Sequence, residues 1–267
     1  GETADKRKAS PISSATEANK CRNAVSGIIG AGIIPAAVEM MDRTTIEAAE
    51  AAVHPNFPPA EAVLIVELDG AETEVSALFD RVETVCRDVG AREIQVAKTD
   101  AQRARFWMGR KAAFAAMGRV SPSYYVQDGV IPRTKLPEVL GRIRDLETES
   151  GLKIGNVFHA GDGNLHPLVC YDDRIEGQAD LAQSVALKIL TFCLDVGGSI
   201  TGEHGVGADK ADQMPKMFTE TDLDSMQLVR CAFDSQNLCN PGKVFPTPRL
   251  CGEVPGPYRA HPAERAG

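Results

Sequence analysis

The sequence predicts an α+β fold, with helices packed on a largely antiparallel sheet. Three observations carry this. Apolar residues recur at i, i+3, i+4 and i+7 in several windows that end at glycine, the signature of amphipathic helices. Shorter β-prone runs lie between those windows. Finally, Asp162-Gly163 sits between two apolar arms, 154–158 and 168–171. An Asp-Gly pair so flanked is a strong short-range signal for an antiparallel hairpin. Strand–helix alternation alone would suggest a parallel sheet. Periodicity does not settle connectivity; the hairpin points to antiparallel pairing but does not decide it.

Taken along the chain, residues 1–24 read as a flexible N-terminal segment, because the first of them are polar and unpatterned. A strand is expected at 62–68. A helix follows at 74–89, with Val75, Leu78, Phe79, Val82, Val85 and Cys86 on one face, Thr73 as cap and Gly90 as stop. Next come a strand at 92–97, a helix at 101–117 and a strand at 123–131. Leu136, Val139, Leu140, Ile143 and Leu146 mark a helix over 136–150, ended by Gly151. The hairpin arms follow, then a helix at 181–196 closed by Gly197-Gly198, and a last helix at 221–234. Residues 25–248 form one domain in this reading. The Pro/Gly-rich remainder, 249–267, reads as a disordered tail.

Composition excludes several function classes. The 267 residues are 25% charged and 43% hydrophobic, ordinary for a soluble globular protein, and enough for a sizeable core. A net charge of −8 and the lack of a Lys/Arg stripe argue against nucleic-acid binding. The apolar run 25–41 is interrupted by Ser26, glycines, Pro35 and Glu39. It is also shorter than the roughly 20 residues a transmembrane helix needs. The expectation is a cytoplasmic protein, associated with a membrane only through a partner subunit. Seven cysteines without a Cys-x-x-Cys pair fit no zinc ribbon, iron–sulfur cluster or secreted disulfide framework. Cys86 and Cys193 fall on apolar helix faces and read as small buried thiols.

The chemistry concentrates in two glycine-rich segments, His159-Ala-Gly-Asp-Gly-Asn-Leu-His166 and Gly202-Glu203-His204-Gly205, which hold three of the five histidines. A two-residue turn centred on Asp162-Gly163 would pair Gly161 with Asn164, Ala160 with Leu165 and His159 with His166. Directly opposed residues share a face with Cβ atoms about 4.5–5.5 Å apart. Two imidazoles so placed can converge on one metal at about 2.0–2.1 Å each, with Glu203 as a third, oxygen ligand. Zn²⁺, Mn²⁺ and Fe²⁺ all suit a mixed N/O donor set.

These two segments resemble those of the FAD-linked 2-hydroxyacid oxidoreductases, in their C-terminal, substrate-binding half. That family belongs to the vanillyl-alcohol-oxidase-like flavoproteins, and the resemblance is to its glycolate-oxidase branch. Further matching stretches are Gly32-Ile-Ile-Pro35 with Glu39-Met-Met-Asp42, Phe106-Trp107-Met108-Gly109-Arg110-Lys111, Asp128-Gly-Val-Ile-Pro132 and Asn240-Pro241-Gly242-Lys243. The resemblance implies an α+β domain of ferredoxin-like character. It also implies FAD, held mostly by an N-terminal domain to which nothing in this sequence corresponds. The chain therefore reads as part of a larger flavoenzyme, or as half of a split one whose flavin domain is another chain.

Oxidising a 2-hydroxy acid needs a base, a cationic clamp and a Lewis acid, with the redox step left to the cofactor. The resemblance implies His159, His166 and Glu203 as metal ligands and His204 as the base beside the flavin. It implies Arg110, whose guanidinium fork matches a carboxylate, as the substrate clamp, and Asn240 as a flavin contact. Related 2-hydroxyglutarate enzymes carry a Thr four residues after the clamp and an Asn two residues after the second His. Here those positions are Phe114 and Leu168, which favours a short monocarboxylic substrate such as glycolate or D-lactate. The electron acceptor would be an iron–sulfur or second flavin subunit. Two other classes use the same ligands: a non-redox metal-binding interaction or regulatory module, and a metal-dependent hydrolase.

Overall fold

The computed structural model describes residues 8–14 and 18–246. The chain divides into two units, the first running to Gly198 and the second from Ser199.

The first unit is built on an antiparallel sheet of β1 (Lys8–Ser14), β2 (Ala37–Asp42), β3 (Ala62–Leu68), β4 (Ala91–Ile94), β5 (Ser123–Val126), β6 (Gly129–Val130), β7 (Ile154–His159) and β8 (Asn164–Tyr171). The order is β4-β1-β3-β2-β7-β8-β5, with β6 also paired to β8. Strand β3 lies between β1 and β2, antiparallel to both, while α1 (Ala18–Gly30) connects those two. This is the split βαβ arrangement of ferredoxin-like folds.

Helices cover both faces. On one lie α1, α3 (Glu72–Asp88), α5 (Leu136–Ser150) and α6 (Gln178–Asp195); on the other, α2 (Arg43–Val53) and α4 (Asp100–Ala116). Strand β3 shows why the sheet is a sandwich filling. Ala62, Leu64, Val66 and Leu68 enter the first core and Val63 and Ile65 the second. A strand buried on both sides reads as an unbroken apolar run, the pattern usual for parallel sheets. That is why patterning left the strand directions open.

Several expectations shift. The segment expected at 123–131 is two strands, because Gln127 and Asp128 break it. Within the segment expected to be flexible, residues 8–14 form β1, held by ladder bonds to β3 and β4 that need no apolar pattern. The other residues before 18, and the tail expected at 249–267, lie outside the described residues. The apolar run 25–41 is the end of α1, a turn at Gly32 (φ 73°) and most of β2. Among the described residues, no helix is long and apolar enough to cross a membrane. Asp42 ends β2 and starts α2 directly: its Oδ1 accepts the Thr45 N–H at 3.0 Å, satisfying one of the amides left over at the helix start. Cys86 and Cys193 are buried, and burial pushes the Cys86 thiol up to about 12.

The second unit contains α7 (Met214–Met217) and α8 (Glu220–Phe233). Helix α8 begins with a capping box in which Thr219 and Asp222 exchange side-chain and backbone hydrogen bonds.

Candidate active site

The β7–β8 hairpin has a different register from the one the Asp-Gly pair suggests. His159 faces Asn164, Phe158 faces Leu165, and His166 faces Val157. The connection is a four-residue loop, 160–163. A two-residue type I′ turn needs positive φ at both central positions. Gly163 has φ 78°, but Asp162 does not enter that region. Tertiary bonds fix the longer loop instead: the Gly161 N–H donates to the Val38 carbonyl at 3.1 Å, and the Ile131 N–H donates to that of Gly163 at 3.0 Å.

His159 and His166 are thus diagonal neighbours. Their positions still have the same parity across the ladder, so both side chains lie on the α4 face with Val157 and Leu168. Their rings meet edge to face with centroids 5.2 Å apart. Each ring has its Nδ1 engaged. His159 Nδ1 lies 2.8 Å from Glu39 Oε1, and His166 Nδ1 lies 3.2 Å from the Gln127 carbonyl oxygen. Both partners are acceptors, so a neutral ring at either position would carry its proton on Nδ1. Metal-ligating histidines have this arrangement, with the far nitrogen fixed by a carboxylate or carbonyl.

Helix α4 roofs this face. Arg103, Trp107, Arg110 and Phe114 recur at helical spacing and look down on the sheet. Glu67 on β3 accepts from Arg103 and from the Trp107 indole N–H. Glu39 on β2 takes Arg110: Nε donates to Oε2 at 3.0 Å and Nη2 lies 2.9 Å from the same oxygen. Arg110 and Glu39 are each only 6% exposed, so the pair is out of water, where breaking it by removing one partner is costly. Phe114 packs edge-on to His166 with centroids 5.8 Å apart, and Arg110 stacks over its ring.

Three of the expected site residues, Arg110, His159 and His166, therefore meet in the first unit through Glu39 and Phe114. Asn164, opposite His159, is buried with its Oδ1 unpartnered among the described residues, which suits a face that receives a further polar group. Two ring nitrogens presented from one rigid hairpin beside such an atom fit a divalent metal. Glu39 and Gln127 were not anticipated from sequence. For Glu39 a signal existed: a lone acid inside the buried run 38–41.

Glu203, His204 and Asn240 belong to the second unit. Glu203 and His204 sit half-exposed on a turn, His204 Nε2 3.6 Å from Glu203 Oε1. The Thr201 hydroxyl accepts the Gly205 N–H at 2.8 Å, and Gly205 and Gly207 have positive φ. Buried Lys210 donates to the Ile200 carbonyl at 2.9 Å, pinning the start of the segment. Asn240 is exposed with φ 48°. Its loop is gathered by the Arg230 guanidinium, which donates to the carbonyls of Cys239 (2.7 Å), Asn240 (3.2 Å) and Lys243 (3.2 Å).

An α+β domain with a metal-capable histidine pair under an arginine-bearing helix defines a class. Residues 7–244 match the family model of the FAD linked oxidases, C-terminal domain, and the chain belongs to that family. Among curated proteins it is 45% identical over 243 residues to glycolate oxidase subunit GlcD of Escherichia coli, covering 91% of this chain and 49% of the relative. It is 33% identical to the Bacillus subtilis protein of that name, covering 83% and 47%. A D-lactate dehydrogenase of Anaerostipes hadrus is 29% identical, covering 79% and 46%. The chain thus spans about half the length of the curated relatives it matches. Of solved structures, p-cresol methylhydroxylase superposes with a TM-score of 0.69 at 12% identity, over 90% of this chain and 52% of that one; this likeness concerns the fold.

Proposed function

We propose that this chain is the substrate- and metal-binding half of a flavin-dependent enzyme that oxidises glycolate or D-lactate to the 2-oxo acid. The observation that carries the reading is the pair of histidines, each with Nδ1 engaged, on the same sheet face as a buried arginine. Family membership and the GlcD relatives support it.

In this reading Arg110 binds the substrate carboxylate. Its side-on edge, Nε and one Nη2 hydrogen, is taken by Glu39; the end-on edge is the one that would receive a second carboxylate bidentately. Phe114, stacked beneath Arg110 and against His166, limits how far the substrate can extend beyond that carboxylate. His159, His166 and Glu203 hold a divalent metal. A metal bound there would supply Lewis-acid polarisation of the substrate hydroxyl, and the flavin would supply the hydride acceptor. His204 removes the hydroxyl proton, and its half-exposed position gives that proton a path to solvent. Asn240 would contact the flavin. FAD would be held mainly by a part of the protein beyond this chain, with an iron–sulfur or second flavin subunit as the electron acceptor. The chain alone is then inactive and colourless, working in the cytoplasm or at a membrane through its partner.

The test is steady-state kinetics of the complete flavoprotein with glycolate, D-lactate and D-2-hydroxyglutarate. The reading expects turnover of the first two and a strong preference over the third. Preference for the dicarboxylate would contradict the role given to Phe114.

A further inference from the structure

The geometry points to Glu39 as a positioning residue that fixes the tautomer of His159 and so decides whether its Nε2 can bind a metal. The inference rests on the proposed metal site, but its basis is the hydrogen-bond arithmetic of one buried side chain.

Glu39 accepts on both oxygens. Oε1 takes the Nδ1–H of His159 at 2.8 Å, and Oε2 takes Nε and Nη2 of Arg110 at 3.0 and 2.9 Å. A carboxylate can do this because it is acceptor-only. An amide of the same shape cannot, since it offers one acceptor and one donor. The Arg110 guanidinium is always charged and donor-only, so it claims whatever acceptor stands at position 39. In a Glu39→Gln protein the amide oxygen therefore turns to Arg110 and the NH₂ turns to His159. Facing a donor, His159 Nδ1 must accept, and its proton moves to Nε2, the nitrogen on the metal side. One acid on β2 thus ties together a helix residue, Arg110, and a hairpin residue, His159. The arginine sets the direction in which the pair is polarised.

The experiment uses the 267-residue chain with ¹⁵N-labelled histidine. Long-range ¹H–¹⁵N correlation reads the His159 tautomer without metal, and competition against a chromophoric chelator reads Zn²⁺ affinity. The expected result is an Nδ1–H tautomer in the parent chain, a reversed one in Glu39→Gln, and zinc affinity lower by roughly 10–100-fold, as for loss of such a supporting partner. Adding Arg110→Met frees the amide to turn its oxygen back to His159, so Glu39→Gln/Arg110→Met should recover the parent tautomer and most of the affinity. A merely structural role for Glu39 predicts no such rescue. Should Glu39→Gln fail to fold, Glu39→Met/Arg110→Met removes both charges together; there His159 should lose its fixed tautomer. A folded Glu39→Gln protein that keeps the parent tautomer overturns the inference, whatever its affinity. A reversed tautomer in a chain that never binds zinc sustains the tautomer assignment and overturns its consequence for metal binding, together with the metal reading.

Discussion

His159 and His166 meet across a diagonal of the β7–β8 ladder, with Asn164 directly opposite His159, Val157 directly opposite His166, and the ring centroids 5.2 Å apart. The geometry depends on the loop 160–163. A Cβ at Gly163, where φ is 78°, would lie 2.2 Å from the Ile131 carbonyl oxygen. Gly163→Ala should therefore cost about 2 kcal/mol or more, from left-handed strain plus a backbone clash, read as a lower urea midpoint with an unchanged m-value. Asp162→Asn, which disturbs neither constraint, should stay within about 0.5 kcal/mol of the parent.

The position of Arg110 depends on its neighbour. A Cβ at Gly109 would come within 2.6 Å of Phe57 and 2.7 Å of Pro55. Gly109→Ala should push α4 away from the sheet, lowering stability by about 1–3 kcal/mol, the usual range for overpacking. Gly141 in α5 has no heavy atom within 4 Å of such a Cβ. Gly141→Ala should instead stabilise by about 0.5–1 kcal/mol through helix propensity and a less flexible unfolded chain. Thermal melts of the two proteins should shift in opposite directions.

Much of this was legible in the residues, and what was not has physical causes. Strand β3 and helix α5 appear at the expected residues, because seven successive buried positions and an apolar stripe with Pro137 at its start and Gly151 at its end leave little freedom. Strands β1 and β2 lacked a pattern: one is polar, the other buried on both faces. The hairpin register departs from the expected one because turn type depends on the φ of Asp162 and on bonds to Val38 and Ile131, both distant in sequence. Arg110, His159 and His166 were legible as residue types with known uses. Glu39, which joins them, was not, because a single acid in an apolar strand does not name its partners.

Asp42 provides a pH-dependent test of the α2 start. Burial is the largest influence on its carboxyl and raises it from 3.8 to about 6, against opposing hydrogen bonds from Thr45 and Asn156. A folded value above the unfolded one means that the folded state binds the extra proton. Its contribution to stability is complete below about pH 4 and lost as pH rises through about 6. Asp42 keeps some exposure, so the loss should be about 1–3 kcal/mol. Asp42→Asn should abolish it, with the Asn156 amide able to turn its unpartnered Oδ1 toward the new donor. Urea midpoints at pH 4.5 and 7.5 should show the parent losing ground to the variant at the higher pH; a constant difference would assign Asp42 an ordinary titration.

In the complete flavoprotein His204 and Arg110 should fail differently. His204→Ala should lower kcat and kcat/KM together by roughly 10²–10⁴-fold, as for loss of a general base. Arg110→Lys keeps the charge but loses the fork, so KM should rise more than kcat falls. Steady-state kinetics on glycolate and D-lactate separate the two patterns. Near-normal kcat in His204→Ala would assign the proton to another group.

The central claim is that His159, His166 and Glu203 hold one divalent metal, and elemental analysis tests it most directly. The purified chain, loaded with Zn²⁺ or Mn²⁺ and freed of excess, should carry one metal ion, and His159→Ala, His166→Ala and Glu203→Ala should each lose most of it while retaining native circular dichroism. Full metal content in the folded His159→Ala and His166→Ala proteins would contradict the account.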